Sequence, residues 1–510
     1  MFSAFFFCHS GCSPLSLQNR VRSCIIPCMT VEFINENKTV TVPEGTTLLE
    51  AAVKAGIRVD APCGGNGICG KCRAMVGEEE VLLCRTRVCS DLAVRTFSDA
   101  GEQILTAGKR EKVTPDGKDR YVLAFDIGTT TVVGYLLSGT DGKLLSSKGT
   151  LNPQISYGAD VISRIQYVLE HETDELSLVI RKALCALTED LCREAGIRME
   201  EVTGASVVGN TCMHHLLLGI NPRSMTVPPY MPEVFEAMEI PARGILPIAA
   251  DAKVRVLPNI AGFVGADTVS CILSSGMDRE EELCLLIDIG TNGEMVLGNK
   301  TRRIACSTAA GPAFEGAKIS CGMRGTTGAI RKARITDGRI TAEVIGGGEA
   351  EGICGSGLID LTACLLSLGV MDENGYLSEK EVRIPGTRVT LTQRDIREIQ
   401  VAKAAIAAGV ELLLRKYGVG CDDIGKVVLA GAFGTFLDPD SVCAIGLLPK
   451  ELRGKIEAVG NAAGEGAKMC ALSEAAFLES QRAAKETEFL ELASLPDFQD
   501  VFIDALEFPS

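Results

Sequence analysis

The 510-residue sequence has no tryptophan and only four histidines, so a histidine-based centre has few candidates. It has no run of 18 uncharged apolar residues, which leaves no membrane-spanning helix to propose. It has no long Lys/Arg block, and its formal net charge is -15. Nucleic acid is therefore excluded as the main partner, because phosphate-backbone binding needs a positive footprint. No G-x4-G-K-[ST] occurs, which excludes a Walker-type phosphate loop. The apolar patch near the N-terminus has no basic segment before it, so a signal peptide fits poorly.

What is there is a globular composition, 46% hydrophobic, with 21 cysteines scattered along a chain long enough for two to four domains. Cysteines spread this way are not the framework of a small secreted domain. They imply a reducing, anaerobic cytoplasm in which most thiols are small buried hydrophobes. Residues 1–28 are Phe- and Cys-rich and without pattern. They are expected to be a disordered leader or to precede the true start at Met29, with a cluster from Cys8, Cys12, Cys24 and Cys28 as the lesser alternative.

From Met29, TVEFINENKTVTV predicts a hairpin of two alternating strands. Thr47-Leu48-Leu49-Glu50 has capping-box spacing and opens a short helix that ends at Gly56. Two motifs overlap in the loop that follows, CGGNGICGKC from Cys63 to Cys72. Gly65, Gly67 and Gly70 complete a G-x-G-x-x-G, yet a helix precedes it instead of a strand, and no βαβ unit surrounds it. A dinucleotide site therefore does not fit. Cys63-x5-Cys69-x2-Cys72-x11-Cys84 is one residue longer in its first gap than plant-type 2Fe-2S spacing, as in adrenodoxin-like ferredoxins. Zinc would call for paired C-x2-C units, and only one such pair occurs. Cys89 competes with Cys84 for the fourth ligand. Cys84, at the end of the apolar run VLL, matches the ferredoxin context better. Strands in EEEVLLCRTRV and DLAVRTF close a domain over 29–97, and the polar stretch 98–120 reads as a linker.

Beyond it, VLAFDIGTTTVVGYLL and LCLLIDIGTNGEMVLG repeat one pattern: apolar strand, Asp-Ile-Gly-Thr turn, second strand. Asp126 and Asp288 stand 162 positions apart in the two copies. The repeat predicts two related α/β lobes, 121–280 and 281–510, facing each other across a cleft, with helices near 174–195 and 396–417. Two such turns can direct backbone N–H groups and hydroxyls at phosphates from opposite sides, with both aspartates facing Mg2+ through its waters.

DIGTTT and DIGTNG resemble the two phosphate motifs of the actin, Hsp70 and sugar-kinase superfamily, and VVLAGAFG resembles its adenosine motif. PNIAGFVGADTVS resembles its first connecting segment. The superfamily implies a phosphate and nucleoside site from Gly128, Thr129, Thr130, Thr131, Gly290, Thr291, Asn292, Gly293, Gly431, Ala432, Phe433 and Gly434. Asp267 would be a polar residue near Mg2+ or the attacking water, or else a helix-start residue favoured by the dipole. GNTCMHHLLLG, GPAFEGAKISCGMRGTTGAI and GICGSGLID, with the ferredoxin in front, resemble the reductive activators of corrinoid proteins over essentially the whole chain from Met29.

That resemblance implies a β-grasp 2Fe-2S ferredoxin joined to an actin-like ATPase with duplicated ribonuclease H-like lobes. Its cofactors would be a 2Fe-2S cluster, ATP and Mg2+. Its partners would be a corrinoid protein of a methyltransferase system and an upstream low-potential donor, with a homodimer left open. The activity implied is one-electron, ATP-dependent reduction of Co(II) to Co(I). Activators of this type often carry a further domain between ferredoxin and ATPase, for which only a short linker is visible. His214 and His215 are adjacent on a helix, so at most one could face a partner, and both read as packing residues. Ser356 has no histidine near it in the sequence and reads as structural or as part of a nucleotide-facing turn. Rival functions are an ATP-driven electron donor to another enzyme, a small-molecule kinase with a redox domain, and a chaperone-like ATPase.

Overall fold

The computed structural model describes residues 27–57, 59, 61, 65, 67, 70–97, 108, 113–228 and 230–509. The leader with Cys8, Cys12 and Cys24, the ligand candidates Cys63 and Cys69, the greater part of the linker and the Ala432 side chain lie outside the described residues.

Alternation in the first strands sends Val31 and Phe33 of β1 (Cys28–Phe33) inward, and β2 (Lys38–Pro43) pairs with it antiparallel. Helix α1 (Leu48–Lys54) starts with the predicted capping box: Glu50 N–H donates to Thr47 Oγ1 at 3.2 Å and Thr47 N–H to Glu50 Oε2 at 2.7 Å. Its Leu48, Leu49, Ala51 and Ala52 are buried with Val31, Phe33 and Val94 in one small core. Strands β3 (Arg73–Val76), β4 (Glu79–Leu82) and β5 (Leu92–Thr96) complete a sheet of order β2-β1-β5-β3-β4, with β1 and β5 parallel. A helix laid on this mixed sheet is the β-grasp arrangement.

The sequence repeat becomes a repeat of sheets. In lobe 1, β6 (Tyr121–Ile127), β7 (Thr131–Ser138) and β8 (Leu144–Leu151) form an antiparallel meander. Helices α2 (Val161–His171) and α3 (Glu175–Ala195) follow. Then come β9 (Val202–Gly209), parallel to β6, α4 (Thr211–Leu218), β10 (Met238–Pro241), β11 (Lys253–Val256) and α5 (Ala266–Ser275). Lobe 2 opens with the same meander, β12 (Cys284–Ile289), β13 (Gly293–Gly298) and β14 (Arg303–Thr308).

An inserted small sheet, β15 (Ala329–Thr336), β16 (Arg339–Val344) and β17 (Gly352–Ile353), leads into α6 (Gly355–Ser367). The hairpin β18 (Glu381–Arg383) and β19 (Thr390–Thr392) precedes α7 (Gln393–Tyr417). Strand β20 (Lys426–Ala430), parallel to β12, then runs into the short helix α8 (Gly431–Gly434). There follow α9 (Pro439–Ala444), β21 (Ile456–Gly460), α10 (Ala462–Leu472), α11 (Glu474–Glu486), β22 (Thr487–Phe489) and α12 (Phe498–Asp504). The two sheets share the orders β11-β9-β6-β7-β8 and β21-β20-β12-β13-β14, and differ in a sixth strand, β10 beside β11 in one and β22 beside β14 in the other.

Each lobe has its own apolar core, and a third core lies between them, joining Val122, Ala124 and Tyr135 of lobe 1 to Leu286, Val296 and Val428 of lobe 2. Helix α10 belongs to the second half by sequence but packs on α5, β6 and β9. Ser206 and Ser270 hydroxyls hold it through the carbonyls of Ala467 (2.6 Å) and Ala463 (2.7 Å). The chain is also fastened to this region before residue 121. Asp116 accepts the Glu474 N–H at 2.7 Å, and Lys118 pairs with Glu474 at 2.6 Å. The Asp and Gly-Thr turns of both lobes meet at the mouth of the cleft, where the apolar strands end.

Candidate functional site

In the first domain the sulfurs of Cys72 and Cys84 lie 3.2 Å apart. Leu83 N–H donates to Cys72 O at 2.8 Å and Leu49 N–H to Leu83 O at 3.0 Å, so the pair is fixed between α1 and β4. The loop leading to it turns through Gly65, Gly67 and Gly70, all left-handed, with φ of 86°, 73° and 66°. A Cβ on Gly67 would stand 2.5 Å from Arg85 Nε, so the loop needs glycine for both conformation and space. Two neighbouring thiols beside a tight glycine turn are the soft donor set of an iron–sulfur cluster. Cys89 is exposed, whereas Cys72 is buried beside Cys84.

The second site is a cavity of about 340 Å3 between the lobes, lined by both repeated turns. Each turn closes on itself: Gly128 N–H donates to Thr131 O at 2.8 Å and Gly290 N–H to Asn292 O at 2.9 Å. The first turn is further braced by Asn152 on Gly128 O (2.8 Å), Asn210 on Thr129 Oγ1 (2.9 Å) and the buried Arg164 on Thr129 O (2.5 Å). Glu315 spans the cleft, accepting from Thr130 Oγ1 at 3.0 Å and from Thr291 Oγ1 at 2.6 Å.

Asp126, Asp267, Asp288 and Glu294 share this cavity. Burial, opposed by a bond from Asn461, brings the Asp126 pKa up to about 7. Burial, reinforced by Asp267 and Asp126, does the same for Asp288. Burial also raises Asp267 and Glu294. Carboxylates this costly to ionise stay neutral by holding a proton or by sharing a cation. Among the described residues no three carboxylate, thiol or imidazole groups converge on one metal position. Asp267 sits in the first turn of α5, where the helix-start expectation put it, and it also lines the cavity.

Phe314 and Phe433, which also line the cavity, stack with centroids 5.3 Å apart, and Phe436, another lining residue, is 61% exposed. Gly431, at φ 82°, has no room for a Cβ, which would meet Asp288 Oδ1 at 2.5 Å. The cavity thus brings together Gly128, Thr129, Thr130, Thr131, Gly290, Thr291, Asn292, Gly431 and Phe433; Gly293 and Gly434 lie in the same elements but off its wall. Glu294, Glu315, Asn210, Asn461 and Arg324, which also line it, were not foreseen from the sequence. Hairpin register alone would have found Glu294, which pairs directly opposite Asp288.

The histidine pair is internal. His215 Nε2 accepts the Glu233 N–H at 3.0 Å, while His214 faces Asn259 and burial takes its pKa down to about 4. Ser356 donates to Arg331 O at 2.8 Å and also borders the nucleotide cavity.

These two sites define a class: a 2Fe-2S ferredoxin domain fused to an actin-like ATPase. Residues 32–105 match the 2Fe-2S iron-sulfur cluster binding domain, 121–280 the RACo middle region, and 282–510 the C-terminal domain of RACo, the ASKHA domain. The chain belongs to the family of reductive activators of corrinoid proteins. It is 37% identical over 416 residues to the corrinoid activation enzyme RamQ of Eubacterium limosum, covering 76% of this chain and 70% of that one. It is 31% identical over 250 residues to the [Co(II) methylated amine-specific corrinoid protein] reductase of Methanosarcina barkeri, 45% of each chain. A solved structure titled reductive activator for corrinoid, iron-sulfur protein superposes with a TM-score of 0.70 and 30% identity, covering 94% of this chain and 98% of that one. The matched middle region falls on residues 121–280, which are lobe 1.

Proposed function

We propose that this protein reduces a corrinoid-bound Co(II) to Co(I) by one electron, at the expense of ATP, in support of a methyltransferase system. The observation that carries this is the pairing within one chain of a thiol-lined glycine loop with a two-lobed phosphate cleft. Cys63, Cys69, Cys72 and Cys84 are the residues we assign to the cluster, which supplies a single electron. Each 59 mV by which a donor falls short of its one-electron acceptor costs about 1.4 kcal/mol. ATP offsets such a deficit only by acting differently on two states of the activator.

The residues of the cleft have separable tasks. Thr129, Thr130, Thr131, Thr291 and Asn292 present hydroxyls, an amide and backbone N–H groups to the phosphates from two lobes. Asp126, Asp288 and Asp267 orient Mg2+ and its waters, and Phe433 with Phe436 flanks the base. Since the turns come from different lobes, a bound triphosphate draws on both and couples nucleotide state to lobe separation. The corrinoid protein's identity and the upstream low-potential donor are left to the chemistry: a Co(II) corrinoid on one side, a one-electron reductant on the other. Among the described residues no helix is long and apolar enough to cross a membrane, and the many free thiols fit a reducing cytoplasm.

The experiment is to mix the anaerobic protein with a Co(II) corrinoid protein, a reductant and Mg-ATP, and to follow Co(I) absorbance. A kinase would instead form a phosphorylated small molecule, and a chaperone-like ATPase would respond to peptide.

A further inference from the structure

One carboxylate in the nucleotide cavity does not fit a role beside Mg2+. Glu315 accepts from Thr130 of lobe 1 at 3.0 Å and from Thr291 of lobe 2 at 2.6 Å, one bond to each of its oxygens. These are the hydroxyls that the two turns offer to phosphate, so an anionic phosphate oxygen and Glu315 cannot hold them together. The next residue, Gly316, packs backbone to backbone on Gly322: a Cβ on Gly322 would meet Gly316 O at 2.2 Å. Gly322 O in turn accepts from Lys71 Nζ at 2.5 Å, and Lys71 precedes the ligand candidate Cys72. Met323 and Arg324, just beyond Gly322, line the cavity again. A chain of direct contacts therefore runs from the phosphate turns, through Glu315, Gly316 and Gly322, to the cluster loop.

We infer that Glu315 is a positioning residue that reads the terminal phosphate: it latches the two lobes, and its displacement by the triphosphate shifts residues 316–322 and loosens the contact of Gly322 with Lys71, the neighbour of Cys72. The inference rests on the nucleotide assignment above. It adds the residue through which nucleotide state reaches the iron–sulfur domain. ADP, lacking the terminal phosphate, leaves the latch in place. Hydrogen bonds to a charged acceptor are strong ones, so losing the latch is worth at least about tenfold in affinity for the competing anion.

The test uses the full-length, cluster-loaded protein with adenylyl imidodiphosphate and with ADP, measured by titration calorimetry and by hydrogen-exchange mass spectrometry. Glu315→Ala is expected to bind the triphosphate analogue about tenfold more tightly than wild type, with ADP affinity within about twofold. Glu315→Gln, equal in size and uncharged, is expected to move in the same direction by less. In wild type the analogue, and not ADP, should raise exchange in peptides covering 316–325 and 70–76. In Glu315→Ala both peptides should exchange faster before any nucleotide is added. An equal gain for ADP and analogue in both variants, or a 70–76 peptide indifferent to the analogue in wild type, would overturn the latch while leaving the nucleotide site standing. Failure of wild type to bind either nucleotide would overturn the nucleotide assignment and the latch together.

Discussion

Asn461 Nδ2 donates to Asp126 Oδ2 at 2.9 Å, so the residue that follows the outermost paired strand of lobe 2 holds a cavity-lining carboxylate of lobe 1. The two lobes thus share one electrostatic site. Asp126→Asn and Asp288→Asn each remove a negative charge from the cation's surroundings and leave strand packing intact. Either variant should keep its iron and accept an electron from a chemical reductant. Its ATPase rate should fall at least about tenfold, the equivalent of ~1.4 kcal/mol in the barrier. Iron content and phosphate release on the same samples check this.

The same carboxylates make stability depend on pH. With pKa values near 7 in the fold for Asp126 and Asp288, against an ordinary value of 3.8, the native state holds more protons than the unfolded chain between those limits. Stability from these groups is therefore lost as pH rises from about 4 to about 7 and stays low above it. Thermal unfolding without nucleotide should show Asp288→Asn melting above wild type at pH 8, the difference shrinking towards pH 5.5. A pH-independent difference would contradict the burial argument.

The 3.2 Å approach of Cys72 and Cys84 separates the two candidates for fourth ligand. The anaerobically purified protein should be red-brown with about two irons per chain, as a single 2Fe-2S cluster requires. Cys84→Ser should lose most of the iron, and Cys89→Ser should keep it. Visible absorbance and iron analysis decide the point, and equal retention in both variants would reverse the assignment.

Phe436 lines the cavity and is 61% exposed, an unusual place for a phenyl ring unless a flat partner covers it, and the proposed partner is the base. Phe436→Ala should weaken ATP and ADP alike by several-fold, since an aromatic pair contributes roughly 0.5–1.5 kcal/mol beyond its area. Equilibrium binding of both nucleotides is the measurement.

The parts legible in the sequence are those set by short-range rules. The capping box of α1, the two DIGT hairpins and the spacing of the cysteines each depend on residues close together in the sequence. Strand β3 escaped because Arg73–Val76 is four residues long and follows the cysteine loop without a turn signal. Glu315 and Asn461 escaped for a different reason. Glu315 meets Thr130 across 185 positions, and Asn461 meets Asp126 across 335, so their roles exist only once the lobes are assembled. Arg164 is similar: fully buried on α2, it supports the first phosphate turn from behind, a task no local pattern announces.

The most direct test of the central claim is Co(I) formation itself. A Co(II) corrinoid protein, this protein and a reductant are combined under anaerobic conditions, and the Co(I) absorbance is followed with Mg-ATP, with ADP and without nucleotide, for wild type and Asp126→Asn. Co(I) should accumulate only with wild type and Mg-ATP, in step with phosphate release. Accumulation at the wild-type rate in Asp126→Asn after its ATP turnover has gone would show that the cleft does not drive the electron, and would contradict the account.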